Sequence, residues 1–239
     1  MKTNYSLVGK RNLETIASAA DFTEWLYTEI KPYLKGRILE IGSGLGTYSR
    51  KISADFSLSQ ITLSEIDPKF ISELKKTFRA HSNVKVIKLN LSSKNDLTKL
   101  KRKFDSILLI NVLEHIENDR AALMNLASLL TKKGRIIMLV PAHKFLFNCI
   151  DTKVGHYRRY NLAEIKDKIS GTKLNLVKVF YFNFMSIFAW YINGTILKKS
   201  SINEKALGLY NKMVPFFRFM ENKILKKRLG ISLIVTLEK

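Results

Sequence analysis

The chain has 239 residues, 46% of them hydrophobic, with 41 basic and 20 acidic side chains for a formal net charge of +21. That length suits one large α/β domain with an insertion better than two domains, and the apolar fraction is ample for a core. A single cysteine, Cys149, excludes a disulfide framework and a cysteine metal cluster, while the charge points to anionic partners (nucleic acid, lipid headgroups, phosphorylated compounds) or to simply solvated lysines.

Residues 1–36 begin polar and become amphipathic, with Ile16, Ala20, Trp25, Leu26 and Ile30 lining one side of one or two helices that end near Pro32. Met1–Lys10 holds no apolar run, so no secretory signal is read and a reducing cytoplasm is the expected location. The stretch Arg37-Ile-Leu-Glu-Ile-Gly-Ser-Gly-Leu-Gly-Thr-Tyr48 then reads as a buried strand (Ile38, Leu39, Ile41), a glycine turn and the start of a helix near Thr47. Glycines let the backbone turn tightly and approach a ligand, and a helix start offers free N–H groups. A dinucleotide fingerprint needs G-x-G-x-x-G, but here the third glycine, Gly46, comes one residue early. The carboxylate Glu40 just before the loop would repel a pyrophosphate and suits a cationic ligand.

This motif resembles the first motif, acidic-x-G-x-G-x-G, of the class I S-adenosylmethionine (SAM) dependent methyltransferases. The resemblance implies a Rossmann-like seven-stranded α/β sheet with helices on both faces, a helical insertion before the last strand, and a last strand that returns between earlier ones. It implies SAM as cofactor, with Glu40, Gly42, Ser43, Gly44 and Gly46 in the cofactor loop.

Farther along, Ile61-Thr-Leu-Ser64 reads as a second strand ending at Glu65. Glu65 follows Gly42 by 23 residues, where an acidic side chain can accept hydrogen bonds from both ribose hydroxyls; Ile66 follows it, and Asp67-Pro68 starts a helix through Phe78. Val84–Leu89 is a third strand, and Asn90 and Leu91 after it fall where similar methyltransferases hold the adenine; a turn-forming Asn is the alternative reading. Phe104–Ile110 is a fourth strand, almost wholly apolar and so buried on both faces. Asn111-Val-Leu-Glu-His-Ile116 follows, similar to the N-x-L-E-H-I segment of many small-molecule methyltransferases. In that likeness Asn111 and Val112 lie near the methionine part of SAM, and His115 is either a base or a brace for the loop.

A helix is expected over 119–130, a fifth strand over 134–140, a helix capped by Asn161 and ending near Gly171, a sixth strand over 173–181 and a last strand over 231–237. Between them, His143 and the run Gly155-His-Tyr-Arg-Arg-Tyr160 follow the fifth strand. His115, His143 and His156 are the candidate bases. Tyr157, Arg158, Arg159 and Tyr160 form a candidate anion or sugar-phosphate grip, or else a basic loop pairing with Asp151 or Glu164. The segment also resembles the V-P-A…G-H-x-R-R-Y pattern of a bacterial and archaeal methyltransferase group. No metal ligand is assigned.

Residues 179–197 are aromatic-rich and near the length of a membrane span, but Asn183, Asn193 and Gly194 interrupt them, so no transmembrane helix is read. Residues 198–230 are helical in pattern and basic, which suits peripheral contact with an anionic membrane or a lid with solvated lysines. The chain is thus expected to divide into a helical cap (1–36), a SAM-binding core (37–182), an aromatic and basic insertion (183–230) and a final strand (231–239). The expected activity is O-methylation of a small or lipid-linked acceptor, with a glycan intermediate as one class. The +21 charge raises RNA methylation as an alternative, but there is no RNA-binding module and no Asn-Pro-Pro-Tyr or Asp-Pro-Pro-Tyr motif; a SAM-fold scaffold without catalysis is the non-enzyme alternative.

Overall fold

Seven apolar stretches pair into one sheet in the computed structural model, which describes residues 7–57, 59–98, 100, 103–199 and 204–239. Two helices, α1 (Leu7–Ser18) and α2 (Ala20–Ile30), precede β1 (Ile38–Ile41), α3 (Thr47–Asp55), β2 (Ile61–Glu65), α4 (Pro68–Thr77) and β3 (Val84–Lys88). Then come the short α5 (Lys94–Thr98), β4 (Phe104–Ile110), α6 (Asp119–Leu129), β5 (Leu130–Pro141), α7 (Cys149–Val154) and α8 (Leu162–Ile169). The chain closes with β6 (Asn175–Phe182), α9 (Ser186–Trp190), α10 (Glu204–Phe219) and β7 (Ser232–Glu238). Strand order is β3-β2-β1-β4-β5-β7-β6. β7 enters antiparallel between β5 and β6, while β1 to β5 run parallel. The returning last strand implied by the resemblance is therefore present.

The period-2 alternation of the strands separates two cores. Leu39, Ile107 and Leu109 pack with Leu123 and Leu126 of α6 on one face. Ile38 and Leu108 pack with Trp25 and Ile30 of α2 and Ile52 of α3 on the other. Local chemistry sets several boundaries. Asp67 accepts from Lys69 N–H (2.8 Å) with Pro68 in the first turn of α4, and Asn148 and Asn161 each build a reciprocal capping box at the starts of α7 and α8.

Some expectations shift. β5 begins at Leu130, because Leu130 pairs with Phe104 before a bulge restores the ladder at Ser106. α5 has no apolar period to announce it. Ala20 faces solvent and Ala19 is buried instead, since the break between α1 and α2 rotates the stripe by one residue. The expected cap and basic helical segment fall partly on residues 1–6 and 200–203, which lie outside the described residues. No helix among the described residues is long and apolar enough to cross a membrane.

The topology itself places the site. Strand order reverses between β1 and β4, and in an open parallel sheet the crevice at the carboxyl ends of such a strand pair receives the ligand. Gly42 leaves β1 there and Asn111 leaves β4 there.

Candidate active site

Gly42, Gly44 and Gly46 have φ of 69°, 51° and 75°, in the left-handed region that side chains disfavour. Gly42 is doubly constrained, since a Cβ there would sit 2.7 Å from Val112 Cγ2. At Gly44 a Cβ would meet nothing within 4 Å. The loop is fastened to β2: Gly42 and Ser43 N–H donate to the Ser64 carbonyl (2.9 and 3.0 Å), and Gly44 N–H donates to Glu65 Oε2 (2.9 Å). Glu65 Oε1 also accepts from Ile66 N–H (2.7 Å) and Asp67 N–H (3.2 Å). Buried and holding three amides, Glu65 pins the glycine loop, and burial raises its carboxyl above the usual range despite those amides.

The loop opens onto a cavity of about 380 Å³. Glu40, Gly42, Ser43, Gly44, Asn111 and His115 form its sheet side, and Asn12 and Ile16 of α1, Trp190 of α9 and Tyr210 of α10 close it from the opposite ends of the sequence. Glu40 is 4% exposed and accepts a hydrogen bond from the Ser49 hydroxyl of α3. Burial pushes its carboxyl up to about 7, against the opposing pull of the Ser49 hydrogen bond.

Beyond Asn111, itself in the left-handed region at φ 52°, the chain makes a short turn that brings the His115 ring edge-on to His156, with centroids 4.7 Å apart. Both rings line the cavity. Burial, then the neighbouring His156, lowers His115 to about 4, so its ring is neutral. His156 Nδ1 lies 2.7 Å from Asp151 Oδ1, and Arg159 Nε donates to both Asp151 oxygens at 3.0 Å. Burial alone would raise Asp151, but His156 and Arg159 hold it below the ordinary carboxylate range. Arg159 also donates to the Ala142 carbonyl (3.1 Å) and lies 4.7 Å from the Trp190 ring centroid.

The structure therefore brings together Glu40, Gly42, Ser43, Gly44, Asn111, His115, His156 and Arg159 from the expected set. It does not bring the others to the cavity wall. His143 turns away, its Nε2 3.0 Å from the Gly230 carbonyl and its ring stacked on Tyr181 at 5.1 Å. The arginine–tyrosine run divides, because alternate residues of an extended segment point to opposite sides. Arg158 pairs with Asp119 at 2.5 Å and Tyr160 donates to Asp119 at 3.0 Å, with Lys168 at 2.8 Å from the same carboxylate, while Tyr157 is exposed. The run is a brace on two buried aspartates rather than a four-residue grip. Asn90 accepts from Ser92 N–H (3.0 Å) in a local turn, and Leu91, Ile66 and Val112 are buried packing residues. Gly46 packs toward Leu74 as the N-cap of α3. Sequence reasoning passed over Glu114, Trp190, Asn12 and Tyr210 as site residues; for Glu114 the signal was present in the carboxylate beside His115.

Residues 39–136 match the family model of the methyltransferase domain. The stretch from β1 into β5 is thus similar to a methyltransferase domain. No curated protein matches its sequence. Among solved structures, coclaurine N-methyltransferase bound to N-methylheliamine and S-adenosylhomocysteine is 14% identical, with TM-score 0.61 over 92% of this chain and 72% of that one. A SAM-dependent methyltransferase from Archaeoglobus fulgidus is 17% identical, with TM-score 0.55 over 91% and 94%. The [4+2]-cyclase SpnF is 16% identical, with TM-score 0.60 over 93% and 81%. At such identities the chain shares with these proteins a fold, and one fold serves different reactions. The cavity fits SAM on its own chemistry. The chain offers an open glycine at Gly44 where a backbone can meet a ligand, and the buried carboxyl of Glu40 with no basic hydrogen-bond partner, which an ammonium or a sulfonium would hold ionised.

Proposed function

We propose that this methyltransferase transfers the SAM methyl group to a hydroxyl of a small or lipid-linked acceptor, a glycan intermediate being one such class. The observation that carries the reading is the pair of imidazoles, His115 and His156, on the same cavity wall as the glycine loop and Glu40. Bound SAM supplies a methyl group already activated on sulfonium sulfur. In this reading the Gly42–Gly46 loop and Asn111 position the cofactor, Glu65 fixes the loop, and Glu40 faces the cofactor's positive charge. The neutral His115 meets the acceptor O–H, whose hydrogen an unprotonated ring nitrogen accepts as the oxygen takes the methyl group. Trp190, Tyr210 and α1 exclude water, and Arg159 lends a fixed positive charge at the wall. Incubation with methyl-labelled SAM and panels of polyols, lipid-linked sugars, phenols and amines tests the reading; label in a base-stable ether supports it, and label confined to amines overturns it.

Glu40 gives the reading a pH signature. The folded chain holds the Glu40 proton up to about 7, whereas an unfolded chain releases it near 4.5. Ionisation therefore costs the apoprotein stability as pH rises through that window, and a bound cation offsets the cost. SAM affinity is expected to fall about tenfold per unit as pH drops below 7, with the dependence gone in Glu40→Gln. A profile identical in both proteins would remove Glu40 from the cofactor's surroundings.

The lipid-linked class has its own support. Phe188, Ile192, Ile196, Leu209, Phe216, Phe219 and Ile224 are all 46–64% exposed, and all fall between α9 and the turn after α10, among Lys198, Lys199, Lys205, Lys212, Arg218 and Lys223. Exposed apolar side chains interleaved with lysines suit an anionic bilayer surface. Co-sedimentation with vesicles containing phosphatidylglycerol is expected at low salt, and the double variant Phe216→Asp, Phe219→Asp should reduce it severalfold. Equal recovery with purely zwitterionic vesicles, or with the double variant, would dismiss the membrane part.

A further inference from the structure

Behind the two cavity histidines lies a carboxylate that the proposed chemistry leaves unused. Glu114 is 0% exposed, and neither of its oxygens carries a hydrogen bond. The other buried carboxylates among the described residues are all provided for. Glu40 has Ser49, Glu65 has three amides, Asp67 has Lys69 N–H, Asp119 has Tyr160, Arg158 and Lys168, Asp151 has His156 and Arg159, and Glu221 has Asn183 and Phe184 N–H. The positive groups nearest it, His156 and Arg159, act on it through space without a hydrogen bond, and a buried carboxylate so placed calls for a closer partner of positive charge.

The neighbours of Glu114 have the form of a ligand set. One Glu114 oxygen, one His115 ring nitrogen and one His156 ring nitrogen all lie within 4.8 Å of one another, and Glu114 Oε1 is 3.8 Å from His156 Nε2. Bonds of about 2.0–2.2 Å to a common ion place its ligand atoms roughly 3–4 Å apart, so a modest contraction closes the set. The far nitrogens are already engaged. His156 Nδ1 is held by Asp151, itself gripped by Arg159, which assigns the proton to Nδ1 and turns the Nε2 lone pair toward Glu114. His115 has a backbone hydrogen bond with Gly155. Imidazoles that bind metal through one nitrogen typically donate the other to a carboxylate or backbone carbonyl.

We propose that Glu114, His115 and His156 form a site for one divalent transition-metal cation in the wall of the SAM cavity. Two imidazoles and a carboxylate suit manganese, iron, cobalt or zinc better than magnesium or calcium, which prefer all-oxygen shells. Because His115 and His156 line the cavity and Glu114 lies behind them, the open coordination positions face the acceptor. The chemistry selects an acceptor with two adjacent oxygens, such as a vicinal diol or a catechol, able to chelate the cation. With the cation bound, the imidazoles serve as its ligands and the metal polarises the acceptor oxygen; in the metal-free protein His115 accepts the acceptor's hydrogen as above. That role rests on the O-methylation reading, whereas the binding of the cation does not.

The test uses full-length protein stripped with chelator and titrated with Co²⁺, then Mn²⁺ and Zn²⁺, followed by visible absorption, calorimetry and thermal unfolding, with SAM binding measured on the same samples. Expected are one equivalent of Co²⁺ with a d–d absorption band and a raised melting temperature. Glu114→Gln and His156→Ala should each weaken Co²⁺ binding by at least about 100-fold. Glu114→Gln should still bind SAM and, free of a buried charge, melt no lower than wild-type apoprotein. His143→Ala and Cys149→Ser should bind Co²⁺ as wild type does. Absence of binding by all three cations at millimolar concentration in protein that unfolds cooperatively overturns the site, as does binding that survives Glu114→Gln and His156→Ala. Cation binding without SAM binding would instead uphold the site and overturn the functional reading.

Discussion

Asp151→Ala is expected to cost about 4 kcal/mol of stability and to lower the melting temperature by roughly 8–16 °C. Asp151 is 0% exposed and takes both Arg159 Nε contacts at 3.0 Å, His156 Nδ1 at 2.7 Å and its own capping contact from Asn148 N–H at 3.1 Å. Removing it leaves the Arg159 guanidinium, whose side chain is 1% exposed, with the Ala142 carbonyl and the Trp190 face as contacts and Glu114 acting on it only through space. An uncompensated buried charge is far more costly than the loss of a surface pair. The double variant Asp151→Leu, Arg159→Met removes both charges together and should recover most of the loss. Chemical denaturation of the three proteins checks this, and a single-variant cost below about 1 kcal/mol would mean that Arg159 finds water on its own.

Gly44→Arg is expected to abolish SAM binding while leaving the fold in place, a loss of affinity of at least about 100-fold. Two facts separate this position from its neighbour. A Cβ at Gly44 meets no atom within 4 Å, so the substitution carries only the penalty of a left-handed residue, about 1–2 kcal/mol. The new guanidinium would enter the cavity at the wall where Glu40 awaits a cation, displacing the cofactor and repelling its sulfonium. Gly42→Ala, by contrast, drives a methyl group into Val112 Cγ2 at 2.7 Å and should lower the melting temperature as well as the affinity. Calorimetry paired with thermal unfolding distinguishes the two, and wild-type SAM affinity in Gly44→Arg would place the cofactor elsewhere.

The parts of the architecture governed by short-range rules were legible. The apolar strands at Ile38, Ile61, Val84 and Phe104, the glycine loop, the Asp67-Pro68 helix start and the Asn161 cap all depend on residues a few positions apart. The site was most legible at and just beyond the strand ends, as with Glu40, the glycine loop, Asn111 and His115. In the run His156–Tyr160 the pairing with Asp151 was one of the expected alternatives, but Asp119, 41 positions from Tyr160, was not, and nothing local says which arginine turns inward. His143 was misplaced for the same reason, since its partners Gly230 and Tyr181 belong to the antiparallel end of the sheet. The roof of the cavity joins α1 to α10, and its contribution shows only when both ends of the chain meet. Glu114 was passed over because burial, which makes its bare carboxylate conspicuous, has no signature in a four-residue motif.

The interior carboxylates bear on how this protein meets its partners in solution. Seven of the 20 acidic residues are buried among the described residues: Glu40, Glu65, Asp67, Glu114, Asp119, Asp151 and Glu221. Burial pushes Glu40, Glu114 and Glu221 up to about 7, so near neutrality they are only partly ionised. The exterior is therefore more strongly cationic than a formal charge of +21 conveys. Such a surface gathers anionic molecules over distances of about 10 Å at moderate salt and speeds their encounter with the cavity mouth. Ionic strength should thus act on this enzyme first through the rate of capture, well before it disturbs the fold.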